Sequence, residues 1–199
     1  MNDPIARIRV EVADITRLHV EAIVNAANRS LLGGGGVDGA IHRAAGPALL
    51  EHTRSLGGCE TGLAVVTPAF GLESQGIRMI IHAVGPVWTG DGGTIGTRES
   101  ERLGDRVEDV LLASCYQRSL ELAASHGANT IAFPAISTGV YRFPLERAAK
   151  IALGHVHGWL LGNALPREVT FCCFSPSDAE VYQRVIETRD QWMFSRKRG

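Results

Sequence analysis

The sequence predicts an α/β sandwich in which a mixed or mostly parallel sheet is covered on both faces by helices. Short runs of β-branched residues recur along the chain, and segments with three- and four-residue apolar spacing lie between them. Polar or glycine-rich segments follow three of the strands, at the carboxyl ends where sheets of this kind bind ligands. The 199 residues, 45% hydrophobic and 21% charged, suit one packed domain and exclude a disordered, collagen-like or coiled-coil chain.

The first strand is expected at Ile8 to Val12, with Asp14-Ile15-Thr16 after it. The second, Ala22 to Val24, leads through Asn25-Ala26-Ala27-Asn28 into Gly33-Gly34-Gly35-Gly36, and from Val37 onward Ala40, Ile41, Ala44 and Ala45 keep helical spacing. Leu63 to Thr67 and Met79 to Val84 are the next strands. Thr89 to Arg106, Gly-rich and charged, reads as a mobile surface loop, and a helix is expected around Arg102 to Ser125, ended by Gly127. Thr130 to Phe133 is a strand with Ser137-Thr138-Gly139-Val140-Tyr141 beyond it. Leu145 to Leu161 is the clearest helix: Ala148, Ile151, Ala152, His155, Val156, Trp159 and Leu160 share a face, behind a Pro144 suited to the first turn. Val169 to Phe174 is the last strand, and Ser175-Pro176-Ser177-Asp178 reads as the cap of a last helix. Thr188 to Gly199 is polar and basic and is expected to fray.

Lys plus Arg number 20 against 21 for Asp plus Glu, so no net charge draws the chain to nucleic acid or to an acidic membrane. Apolar stretches such as Met79-Ile80-Ile81 fall far short of the roughly 20 residues that span a bilayer. Met1 to Val10 holds Asp3, Arg7 and Arg9 and no apolar h-region, so the expected location is the cytoplasm. Cys59, Cys115, Cys172 and Cys173 lack metal-site spacing and read as small buried apolar residues in a reducing compartment.

Four consecutive glycines lose much backbone entropy on ordering; they make sense where φ is positive or where a ligand approaches the main chain closely, the alternative being a flexible surface loop. Because they open a helix, its amide N–H groups and positive end would face an anion with no lysine required. Ser137 to Tyr141 offers further N–H donors, so the two loops are suited to the two halves of a diphosphate. Gly34, Gly36 and Gly39 formally match the dinucleotide fingerprint, but about eight residues separate them from the strand. No Lys-Ser/Thr pair follows the glycines, which removes a P-loop and its magnesium.

Asp14-Ile15-Thr16, Ile23 to Asn28, Gly33 to Gly46, His82 to Trp88 and Phe133 to Tyr141, in this order and spacing, resemble the macrodomain family and, within it, the MacroD-type branch of ADP-ribose-binding and ADP-ribosyl-hydrolysing proteins. The resemblance covers about Ile8 to Ile186. It implies a three-layer α/β/α sandwich with a mixed, mostly parallel central sheet, occupying residues 1–187 with 188–199 as a tail, and ADP-ribose in a cleft at the crest of the sheet.

By the same resemblance Asp14 is the adenine-recognising carboxylate, with the Ile15 N–H donating to the ring. Gly35, Gly36, Val37, Asp38 and Gly39 form one phosphate- and ribose-gripping loop, and Ser137, Thr138, Gly139, Val140 and Tyr141 the other. Tyr141 closes over the distal ribose, unless it is a core tyrosine. Phe174 falls on the adenine side, or else in the core. Asn28 contacts the distal ribose, whereas Asn25 either assists there or is a buried amide pinning the loops. Asp38 is the expected catalytic group, ionised without a strongly raised pKa and orienting water, the alternative being a helix cap. His42, one turn after Asp38, is the one histidine expected near the site, as packing. No metal or cofactor is implied. The implied activity is a hydrolase acting on mono-ADP-ribosylated Asp or Glu of proteins and on O-acetyl-ADP-ribose, with Asp38, Asn28 and Asn25 carrying the chemistry; the alternative is a reader that binds without cleaving. Ala13 and Arg142 stand where relatives commonly carry glycine, and are expected to crowd the adenine side and to add a cation at the rim respectively.

Overall fold

The computed structural model describes residues 3–90 and 106–189. Six strands form one sheet: β1 Ile8–Val12, β2 Ala22–Ala27, β3 Ala64–Pro68, β4 Met79–Val84, β5 Thr130–Pro134 and β6 Glu168–Cys173. Their order is β1-β6-β5-β2-β4-β3, parallel throughout except for β3, which runs antiparallel on the edge beyond β4. Helices α1 Gly36–Ala45 and α2 Pro47–Ser55 cover one face; α3 Val107–Ser125, α4 Leu145–Gly162 and α5 Pro176–Glu187 cover the other. This is the three-layer α/β/α sandwich that the sequence predicts.

Alternation along the strands supplies both cores. Val24, Ile81, Phe133 and Phe171 face α3, α4 and α5, while Ile23, Ile80 and Ala132 face Ile41, Ala45 and Leu49 on α1 and α2. On the first face Tyr116, Phe133, Phe171 and Tyr182 follow one another with ring centroids 5.1, 6.3 and 4.9 Å apart. Burying each large apolar side chain of this set contributes roughly 1.5–3 kcal/mol.

The structure corrects several boundaries. Parallel pairing with β4 continues to Ala27↔Val84, so Asn25 lies inside a strand rather than in the loop after it. β6 stops at Cys173, which leaves Phe174 outside the strand. In α4 the buried stripe includes Ala149 and Leu153, whereas His155 is exposed. Helix α2 escapes sequence reading because it buries only Leu49 and Thr53, too thin a stripe to show a period. Residues 91–105 of the predicted loop and helix, and 190–199 of the predicted tail, lie outside the described residues. No helix among the described residues is long and apolar enough to cross a membrane.

Candidate functional site

The carboxyl ends of β1, β6, β5 and β2 stand side by side in that order, so the sheet itself lines up the segments singled out in the sequence. Asp14 follows β1 and Phe174 follows β6; Ser137 to Tyr141 follow β5; Asn25, Asn28 and the glycine run belong to β2 and its sequel. Three inter-strand steps make a crest about 14 Å long.

At the β1 end Asp14 caps a short 3-10 turn, Ile15–Arg17, its Oδ1 accepting from the Thr16 amide at 3.0 Å and the Thr16 hydroxyl at 2.7 Å. The hydroxyl bond holds its pKa below the ordinary carboxylate range, so Asp14 is an acceptor; its side chain is half exposed, with Arg17 Nε 3.9 Å from Oδ2. Ile15 is buried beneath it. Phe174 is 95% exposed, which excludes the core alternative. Ala13 is exposed and its φ is not positive, so the residue fits this turn without backbone strain.

In the glycine run, Gly33 and Gly36 have φ of +84° and +58°, the left-handed region that favours glycine. Gly39, in the first turn of α1, packs so closely that a Cβ there would stand 2.5 Å from the Gly34 carbonyl oxygen. Gly39→Ala is therefore expected to lower stability by about 1–3 kcal/mol through overpacking, measurable by urea denaturation. The Gly39 amide bonds back to the Gly35 carbonyl at 3.3 Å, whereas the amides of Gly36, Val37 and Asp38 precede the first intrahelical bond and have no side-chain cap. Across the crest the second loop is closed by the amides of Thr138, Arg142 and Phe143, bonded to the carbonyls of Ala135, Gly139 and Ser137. Those bonds do not use the amides of Gly139, Val140 and Tyr141. Val140 is 90% exposed, Tyr141 is half-buried, and the Tyr141 carbonyl accepts from the Trp88 amide. Ser137 and Arg142 both hold positive φ, 66° and 56°, without being glycine. Relieving that strain, Arg142→Gly is expected to raise stability by about 1 kcal/mol in thermal melting.

The β2 end is built around Asp38, buried on the first turn of α1. Asn25 donates from Nδ2 to Asp38 Oδ1 at 2.7 Å, and His42 Nε2 lies 3.5 Å from the same oxygen. Burial lifts the Asp38 pKa above the ordinary value of 3.8, opposed by the Asn25 bond and by nearby His42. Asp38 caps nothing: the N-cap position belongs to Gly35. A Cβ on Gly34 would meet Asp38 Oδ2 at 3.0 Å and Asn28 Nδ2 at 3.3 Å, which puts both side chains at the same point of the loop.

Both asparagines hold the loop: Asn25 is a buried amide, as one of its two expected readings has it, and Asn28 adds bonds of its own. Asn28 Oδ1 accepts from the Ser30 amide and hydroxyl, and its Nδ2 donates to the Gly33 carbonyl. Asn25 aims Asp38 from within the sheet. His42 is also not the only histidine here: His82, fully buried on β4, stands 3.1 Å from Asn25 Nδ2 through Nδ1. The parallel register Asn25↔His82 puts both on the α1 face, a juxtaposition that needs the strand pairing and is not visible in the sequence.

The family model for the Macro domain matches residues 24–152. A macro domain-containing protein of Chlorobaculum tepidum is 53% identical over 174 residues, covering 87% of this chain and 92% of that protein. A protein of Enterobacter cloacae named O-acetyl-ADP-ribose deacetylase is 47% identical over 189 residues, covering 93% of this chain and 96% of that one. Among solved structures, the Trypanosoma brucei macrodomain in complex with ADP-ribose superposes with a TM-score of 0.79 at 35% identity, over 93% of this chain and 71% of that one. A mutant of the Oceanobacillus iheyensis macrodomain with ADPR gives 0.78 at 39% identity over 92% of each. Matches of this length, on a sheet of this order, establish that the chain belongs to the macro domain family.

Proposed function

We propose that this protein is a MacroD-type hydrolase that binds ADP-ribose along the crest and cleaves ester-type linkages to its distal ribose, in mono-ADP-ribosylated Asp and Glu of proteins and in O-acetyl-ADP-ribose. One observation carries the reading: a carboxylate, Asp38, is buried beside the amides of a helix N-terminus and held by Asn25. A module that only holds a diphosphate gains from the amides and loses from a neighbouring buried anion. Chemistry gives that anion a use.

Along the crest, Asp14 with the Ile15 amide and the exposed Phe174 ring suits adenine, and the amides of the two loops suit the diphosphate. The Asn28 Nδ2 hydrogen left over from loop pinning suits a hydroxyl of the distal ribose, while Asn25 acts there through Asp38. A water held by Asp38 adds across the bond between ribose and acyl group, yielding ADP-ribose and a carboxylic acid. The relatives named O-acetyl-ADP-ribose deacetylase support the substrate class. Four free cysteines, three of them buried, fit work in the cytoplasm. The test is incubation with a glutamate-ADP-ribosylated protein, following release of ADP-ribose beside calorimetric binding of ADP-ribose. Release supports the hydrolase, and tight binding without release makes the protein a reader.

A further inference from the structure

We infer that His82, held by Thr67, is a positioning residue that fixes the amide of Asn25 and through it the carboxylate of Asp38. The inference rests on the hydrolase reading only for its effect on turnover; the arrangement itself is a matter of hydrogen bonding. Thr67 on β3 lies on the same sheet face as His82, diagonal to it, because His82 pairs with Val65 two residues away. The contacts run without a break: Thr67 Oγ1 is 3.1 Å from His82 Nε2, His82 Nδ1 is 3.1 Å from Asn25 Nδ2, and Asn25 Nδ2 is 2.7 Å from Asp38 Oδ1.

Only one placement of protons satisfies the set. The Thr67 hydroxyl donates to the Pro68 carbonyl at 3.1 Å, so its oxygen accepts, and the ring proton of His82 sits on Nε2. Nδ1 is then an acceptor and takes one hydrogen of Asn25 Nδ2, while the other goes to Asp38. Burial keeps the ring neutral, its pKa pushed down to about 3, with His42 and His52 adding repulsion. Asn25 Oδ1 is left buried, with no protein donor. Turning the amide over would set that oxygen against the Asp38 carboxylate and the His82 lone pair together. The tautomer of His82 therefore sets the orientation of Asn25, and a proton on Nδ1 would reverse it.

Thr67→Val removes the acceptor for Nε2–H without changing the volume, on an edge strand, and Thr67→Ser keeps it. Long-range proton–nitrogen NMR of the labelled parent should show His82 Nδ1 unprotonated and Nε2 protonated. In Thr67→Val the proton should move toward Nδ1, and carboxyl carbon NMR should show the Asp38 pKa shifted upward as its donor turns away. kcat should drop about 10- to 100-fold, the scale of one unmade buried hydrogen bond, with KM changed less than about threefold. Thr67→Ser should restore all three. A parent with Nδ1 protonated, or a Thr67→Val protein with unmoved Asp38 titration, overturns the inference. If the parent releases no ADP-ribose, the hydrolase reading fails while the tautomer and the Asp38 titration still decide this one.

Discussion

Asp38→Ala is expected to lower release of ADP-ribose from a glutamate-ADP-ribosylated protein by about 10²–10⁴, the scale of a lost general base, while ADP-ribose binds within a few fold of the parent or more tightly. The two halves of this result have separate causes. Turnover needs a group that holds and polarises water beside the ribose, and Asp38 is the one buried carboxylate on the first turn of α1. Binding, in the proposed arrangement, uses the amides of the two loops, which the substitution leaves in place while removing a negative charge beside the proposed diphosphate site. Asp38→Asn sharpens the test: its Oδ1 still accepts from Asn25 Nδ2, so a comparable loss there assigns the effect to charge rather than to collapse of the loop. Because burial raises the Asp38 pKa, activity is expected to fall on acidification with a midpoint above 3.8, and the alanine variant should lack that limb. Single-turnover rates across pH beside calorimetry would measure both. Equal turnover by parent and variant would remove Asp38 from the chemistry.

The architecture was legible because its signals are local, as were the segments that the sheet gathers at its carboxyl edge. The short β-branched runs at Met79 to Val84 and Thr130 to Phe133 are strands buried on both faces, and the glycine run contains two positions that hold positive φ. What stayed hidden depends on register or on a thin stripe. His82 was part of a recognisable segment, yet only the pairing Asn25↔His82 reveals that it faces Asn25, and Thr67 joins it only through the antiparallel edge strand. The placement of Asn25 inside the sheet has the same origin: β2 runs three residues further than its β-branched core suggests, since Ala26 and Ala27 pair in the ladder despite low intrinsic strand preference. The upward direction of the Asp38 pKa was not legible, because burial is a tertiary quantity that the sequence does not display.

A second large effect should appear in stability below neutral pH. The His82 pKa is about 3 in the fold against 6.5 unfolded, so between those values the unfolded chain binds the extra proton and stability rises with pH. The contribution is fully present above pH 6.5 and is lost as pH falls toward 3, at about 1.4 kcal/mol per unit and about 5 kcal/mol in all. Asn25 and Thr67 touch the ring, and His42, whose ring centroid lies 6.3 Å away, together with His52 adds like charge on protonation, reinforcing the trend. His82→Gln removes this titration, so urea unfolding of parent and variant should show the parent's advantage at pH 7.5 shrinking by about 3 kcal/mol at pH 4.5. A gap that stays constant across that range would mean that the ring takes up its proton in the fold as readily as in the unfolded chain, and below about pH 6.5 Nδ1 could then no longer accept from Asn25. Acid acts on the proposed site twice, through protonation of Asp38 and through loss of the neutral histidine behind it. The difference between the parent and His82→Gln urea curves reports the second, and correcting the pH–rate profile for the unfolded fraction separates the first from it.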